Sequence, residues 1–151
     1  MKLIKKKIDG QAETEIEIRY AEMNEELIKL IERIEQSEKI IFCTYNGRQH
    51  RIHANDIFYA ECVDKKTFIY TKEFVFRSEL RIYQLVETLR LYDFIQVSKF
   101  CVINMNVLES IRTLFNSRLE ATLINGEKVN VSRTYLANIK AAFDSREECS
   151  E

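Results

Sequence analysis

Two stretches decide the fold: IIFCTY-NG-RQHRIHA at 40–54 and LEATLI-NG-EKVNVS at 119–132. Each sets an Asn-Gly step between two strand-like runs. Asn and Gly accept the positive φ angles that a type I′ turn needs, and the twist of that turn matches two paired strands. Two antiparallel hairpins are therefore expected, closed at Asn46-Gly47 and Asn125-Gly126.

Between them, Ile57 to Ala60, Thr67 to Thr71 and Phe74 to Arg77 are rich in β-branched and aromatic residues. Lys72-Glu73 is placed to turn the second run into the third. Phe100 to Asn104 carries the short apolar run FCVI, suited to a strand buried on both faces. Most of the chain from Ile40 onward therefore reads as sheet.

Helical spacing occurs three times. Leu27, Leu30, Ile31 and Ile34 fall at i, i+3, i+4 and i+7, with Glu25, Glu26, Lys29, Glu32 and Arg33 on the other faces. This predicts an amphipathic helix at 22–37. Ile82, Leu85, Val86 and Leu89 repeat the pattern after Ser78, a candidate N-cap. Tyr135, Leu136, Ile139 and Phe143 repeat it after Ser132, with Arg133 in the first turn.

The first 20 residues suggest two further strands, LIKKKI and TEIEIRY, around Asp9-Gly10. The second alternates Ile16 and Ile18 with Glu15, Glu17 and Arg19, the pattern of a half-exposed strand. The expected class is α+β and predominantly antiparallel β. A strand-strand-helix extension over 1–39 leads into a β domain at 40–144, and an acidic tail follows at 145–151.

Composition is that of an ordinary globular domain: 151 residues, 46% hydrophobic, 31% charged, with no proline and three glycines. The longest apolar run, at 40–43, is far short of a membrane span. Lys2, Lys5, Lys6 and Lys7 lead into no signal-peptide core, so an unexported, cytoplasmic chain is expected. Cys43, Cys62, Cys101 and Cys149 show no C-x-x-C spacing, and three of them lie in apolar runs, as buried reduced thiols do. His50 and His53 have the spacing of a zinc-finger tail, but no cysteine pair precedes them, so surface histidines are expected.

The formal charge of −1 conceals a division. Residues 1–44 hold 8 Lys+Arg against 10 Asp+Glu, residues 45–143 hold 14 against 10, and residues 144–151 hold 1 against 4. The central segment is modestly basic between acidic flanks, which permits a phosphate-binding face without proving one. No Gly-rich phosphate loop, H-E-x-x-H or G-x-S-x-G occurs. The chain offers no nucleophile-and-base constellation, so neither enzymatic activity, a cofactor nor a small-molecule substrate is expected.

The order of pieces from Ile57 onward resembles the LytTR DNA-binding domain of bacterial transcription regulators. The matching segments are DIFYAECVDKKTFIYT at 56–71, RSELRIYQLVETL at 77–89, FIQVSKFCVINMNVLESI at 94–111 and LINGEKVNVSRTYLANIKAAF at 123–143. The resemblance implies a β fold that reads the major grooves of double-stranded DNA with loops and strand ends, as pairs of domains on repeated half-sites. Carried over by position, it implies a first contact loop at Asp64, Lys65, Lys66 and Thr67. The second is at Ser98, Lys99 and Phe100, where the family often has a small polar residue instead of the aromatic. The third is the pair Ser132-Arg133. The resemblance also implies a small membrane protein as a partner. Residues 1–40 are too short for the receiver domain that family members often carry, so control by aspartyl phosphorylation within this chain is not expected.

These residues also make sense chemically. Lys65, Lys66, Lys99 and Arg133 fall at element ends, where long cationic side chains reach phosphates. Arg133 is the candidate for base readout, since a guanidinium can donate twice to guanine. Ser132 reads equally as a helix cap, and Thr67 as a strand residue. The helix stripe at 22–37 has two readings, cover for the β domain or a homodimer contact. The rival function is a protein-interaction module without DNA binding, in which the basic residues only confer solubility.

Overall fold

The computed structural model describes residues 1–12, 14–36, 39–115 and 118–149. Strands β1 (Ile40–Tyr45) and β2 (Arg48–His53) are joined as expected, with Asn46 at φ 49° and Gly47 at φ 73°. A second hairpin uses the same left-handed pair without any glycine. It joins β3 (Ile57–Val63) to β4 (Lys66–Thr71) through Asp64 at φ 52° and Lys65 at φ 63°.

The remaining strands are β5 (Val75–Ser78), β6 (Phe94–Ser98), β7 (Cys101–Asn104), β8 (Leu108–Thr113), β9 (Leu119–Leu123) and β10 (Lys128–Val131). Among the described residues they complete a seven-stranded sheet in the order β2-β1-β5-β4-β3-β7-β6 and a three-stranded sheet, β10-β9-β8. Each of these pairings is antiparallel. The class is α+β with a predominantly antiparallel β body.

The Asn-Gly hairpin between β9 and β10 departs from the expected turn. Only Gly126 is left-handed there, at φ 86°. The Leu123 carbonyl accepts from the Gly126 amide at 2.9 Å, and the Leu123 amide donates to the Glu127 carbonyl at 2.8 Å. The connection is thus a three-residue loop with glycine at its third place. Asn125 is drawn out of the left-handed region because its Oδ1 accepts from the Glu127 amide at 3.1 Å.

Two large clusters of buried side chains hold these layers. In one, Ile41, Ala60, Ile69, Phe76 and Val102 meet Ile82, Leu85 and Leu89 of the second helical stripe. In the other, Val97, Cys101 and Ile103 meet Leu119, Ala121, Val131 and Ile139. Strand β7 is buried along its whole length because Val102 enters the first cluster while Cys101 and Ile103 enter the second. This matches the FCVI pattern, except that Phe100 lies in the preceding turn. Asn104 closes β7: its Nδ2 donates to the Ile57 carbonyl at 2.9 Å and its Oδ1 accepts from the Asn106 amide at 2.9 Å.

The helical stripes form helices with shifted ends. Helix α1 (Glu25–Gln36) starts where the Asn24 side chain accepts from the Leu27 amide at 2.8 Å, three residues later than its periodicity suggests. Leu27 is buried, while Leu30, Ile31 and Ile34 are half-buried. Helix α2 (Ile82–Thr88) is not capped by Ser78. That residue ends β5, its hydroxyl taking the Leu80 amide, and Gln84 accepts from the Arg81 amide at 2.8 Å instead. Helix α3 (Leu136–Cys149) follows a 3-10 turn at Arg133–Tyr135, so Arg133 stands before the α-helix rather than in its first turn. It also runs on through 145–149, the start of the stretch read as a tail.

The two N-terminal strands are not formed. Residues 3–8 and 14–20 carry no strand, and Leu3, Ile4, Ile8 and Ile16 are exposed. Alternation marks a segment able to form a strand, but a strand also needs an edge to pair with, and here the segment meets none. Among the described residues no helix is long and apolar enough to cross a membrane.

Candidate nucleic-acid interface

Strands β3 and β7 pair through Glu61 and Cys101, and the Cys62 amide then donates to the Phe100 carbonyl at 2.8 Å. That bond carries the ladder into the β6–β7 turn. The Asp64-Lys65 tip and the Lys99-Phe100 tip therefore stand side by side at one end of the large sheet. Lys65, Lys66, Lys99 and Phe100 are all exposed there.

The second tip is shaped by Ser98, whose hydroxyl accepts from the Phe100 amide at 3.2 Å. This is a local side-chain turn, and it holds Ser98 half-buried beneath the loop. Phe100 is 55% exposed and Lys99 Nζ lies 5.6 Å from its ring centroid. The aromatic departure from the family pattern thus sits on the surface under a cation, not in the core.

The third group joins through the backbone. The Ser132 amide donates to the Val97 carbonyl at 2.8 Å, which fixes Ser132 and Arg133 beside the end of β6. Ser98, Arg118, Asn130, Val131, Ser132 and Arg133 line one open cleft of about 420 Å³. Ser132 and Arg133 are exposed, and the Ser132 side chain makes no capping bond. Three groups far apart in the chain thus meet at one end of the fold.

Thr67 does not belong with them. It is 5% exposed and pairs with Cys62 on one side and Ser78 on the other, so its hydroxyl lies in the wall of the core. Conversely, Arg118 and Asn130 stand in the cleft without any sequence signal to mark them. Arg118 precedes β9 in a stretch without a motif. Asn130 is an exposed residue of β10, opposite Glu120.

Charge is sorted by position. Arg112 and Lys128 flank Glu120 at 3.1 Å and 3.8 Å, a cross-strand arrangement on the small sheet. His50 packs its ring against Tyr45 and Phe76 at centroid distances of 6.0 Å and 5.6 Å, while His53 is exposed. Both lie on β2, an outer strand of the large sheet.

The model of the LytTr DNA-binding domain family matches residues 47–144 of the chain. The chain belongs to the LytTR family. Residues 47–144 form its DNA-binding domain, in a family that is not enzymatic. Relatives include the sensory transduction protein LytT of Bacillus cereus, 29% identical over 140 residues, which cover 93% of this chain and 52% of that protein. The Bacillus anthracis LytT matches at the same identity and coverage. The chain thus spans about half the length of these curated relatives. An uncharacterised HTH-type transcriptional regulator of Staphylococcus aureus is 26% identical over 133 residues, covering 87% of this chain and 90% of that one. Among solved structures, the LytTr DNA-binding domain of a Bacillus cereus response regulator superposes with a TM-score of 0.66 at 20% identity. That match covers 70% of this chain and 97% of the other, and it supports the LytTR fold.

Proposed function

We propose that this LytTR chain is a cytoplasmic transcription regulator that binds double-stranded DNA through the end of the sheet where the three loops meet. Lys65, Lys66 and Lys99 neutralise phosphates and set the register on the duplex. Arg133 enters the major groove and reads a guanine edge, with Ser98 and Ser132 as neighbouring polar contacts. Arg118, on the same cleft, adds a phosphate contact. Thr67 supports the first loop from within the core and contacts no DNA.

The observation that carries this reading is the pair of backbone bonds, Cys62 to Phe100 and Ser132 to Val97, that bring the loops together. A cationic surface made from three loops has the breadth to follow a groove, which a single lysine turn lacks. The family's habit of binding repeats supports a pair of chains on two half-sites. The β domain takes 40–144, and the residues before it form an extension with its own role. The family resemblance also points to a small membrane protein as a partner, tested by co-purification from membranes.

Selection of bound fragments from genomic duplexes tests the function. Enrichment of a motif repeated at a fixed spacing is expected. Recovery of fragments without any shared motif contradicts sequence-specific regulation.

A further inference from the structure

Among the described residues strand β2 is an outer strand of the seven-stranded sheet, and its ladder with β1 runs regularly from Ile40↔His53 to Tyr45↔Arg48. The strand contains neither a proline nor a bulge, two common ways of blunting an edge. Its side chains alternate. His50 and Ile52 are half-buried toward the core, and Gln49, Arg51 and His53 are exposed on the other face.

The chain also holds an amphipathic segment with no sheet to join. Residues 14–20, TEIEIRY, alternate as a strand does, yet they carry no strand pairing: Ile16 is 62% and Tyr20 56% exposed, Ile18 is half-buried, and Glu17 pairs at the surface with Arg19 at 3.2 Å. We infer that residues 15–20 of a second copy of this chain add to the free edge of β2, each copy lending its strand to the other.

The antiparallel register that matches the two patterns sets Glu15 opposite His53, Ile16 opposite Ile52, Glu17 opposite Arg51, Ile18 opposite His50 and Tyr20 opposite Arg48. Three of these pairs are direct complements: Glu17 with Arg51 as opposite charges, Ile16 with Ile52 as apolar neighbours, and the Tyr20 ring with the Arg48 guanidinium. Ile16 and Ile18 extend the row of His50 and Ile52 and cover the half-buried Tyr45, which packs on Phe76. Arg51 makes the edge unattractive to most strands, and Glu17 selects the one that fits. Within a single chain the segment does not lie on this edge, so the occupant comes from the second copy. Reciprocal exchange is isologous and closes at two chains.

This inference rests on the paired-chain reading above, but it is measured without DNA. Sedimentation of the full chain is expected to give a dimer. Glu17→Arg and Arg51→Glu each place like charges opposite one another, and each weakens the dimer by about tenfold. Mixing the two variants restores wild-type affinity. In the mixed dimer one edge pairs the two substituted side chains, whose charges are exchanged but again opposite, and the other edge keeps the native Glu17–Arg51 pair. Amides of 15–20 gain hydrogen-exchange protection only in the dimer. A monomeric wild-type chain overturns the proposal. So does a dimer indifferent to both variants, or weakened variants that mixing fails to rescue. Lys65→Ala, which weakens duplex binding, is expected to sediment as the wild type does, so a loss of DNA binding bears on the loops and not on this edge.

Discussion

The Ser132 amide donates to the carbonyl of Val97 at 2.8 Å, tying the segment before helix α3 to the C-terminal end of strand β6. Because Ser98 is the next residue, this one bond fixes where Arg133 stands relative to the Lys99 tip. Base reading by Arg133, as proposed, gains selectivity only when the root of the side chain is held, and two strands and this backbone bond hold it.

Arg133→Ala is expected to reduce discrimination between a cognate and a scrambled duplex by about 1 to 3 kcal/mol. Lys65→Ala should instead weaken all duplexes alike and lower the salt slope by about one. Competition binding at two salt concentrations separates these outcomes. Equal losses of discrimination in both variants would contradict the roles given to them.

Lys65 occupies φ 63°, a conformation that costs a side chain bearing a Cβ more than it costs glycine. Lys65→Gly is therefore expected to raise stability by about 1 kcal/mol while weakening DNA binding. Chemical denaturation and duplex titration of the same variant should move in opposite directions. A loss of stability would show that the Lys65 stem packs against the sheet.

Asn104 is 1% exposed and serves both the Ile57 carbonyl and the Asn106 amide. Asn104→Leu keeps similar volume but strands the buried carbonyl, at a cost of about 1 to 3 kcal/mol. A denaturant midpoint unchanged from wild type would contradict this bridging role between β3 and β7.

Burial pushes the Cys43 thiol up from 9.0 to about 11. Burial, with the Glu61 carboxylate adding to it, pushes the Cys101 thiol up to about 12. Tyr59 and Tyr70 are raised too, first by burial and then by hydrogen bonds to Glu127 and Glu61 respectively. In each case the fold favours the neutral form. The stability these groups lend is complete below the unfolded value and is lost as pH rises through the folded one. For the two thiols the window runs from 9.0 to about 12, so unfolding free energy should decline across that alkaline range. A flat profile there would contradict burial of both thiols.

Legibility in the sequence follows the physics of each segment. Asn46-Gly47 declares its turn because both residues tolerate the conformation it needs. Asp64-Lys65 adopts the same turn but has no glycine to announce it. Asn125-Gly126 has the right residues yet forms a longer loop, since Asn125 spends its side chain on the Glu127 amide. Strand β8, LESIRT, has few apolar residues and is half-buried only at Leu108 and Ile111, so no hydrophobic pattern marks it. The N-terminal strands do not form because alternation sets a strand's faces but not its neighbour. In the candidate interface, the exposure of the lysines and Arg133 follows from their place at element ends. The burial of Thr67 and the entry of Arg118 depend on how distant strands pack.

Whether three loops form one surface for a duplex is tested most directly by the salt dependence of binding. The comparison is between wild type and a variant combining Lys65→Ala, Lys99→Ala and Arg118→Ala, the proposed phosphate-binding cations of the first loop, the second loop and the cleft beside Ser132 and Arg133. Wild-type affinity should fall steeply with ionic strength, and the variant should lose close to three units of slope, roughly one for each cation removed. Identical slopes for the two proteins would contradict a common DNA surface at that end of the sheet.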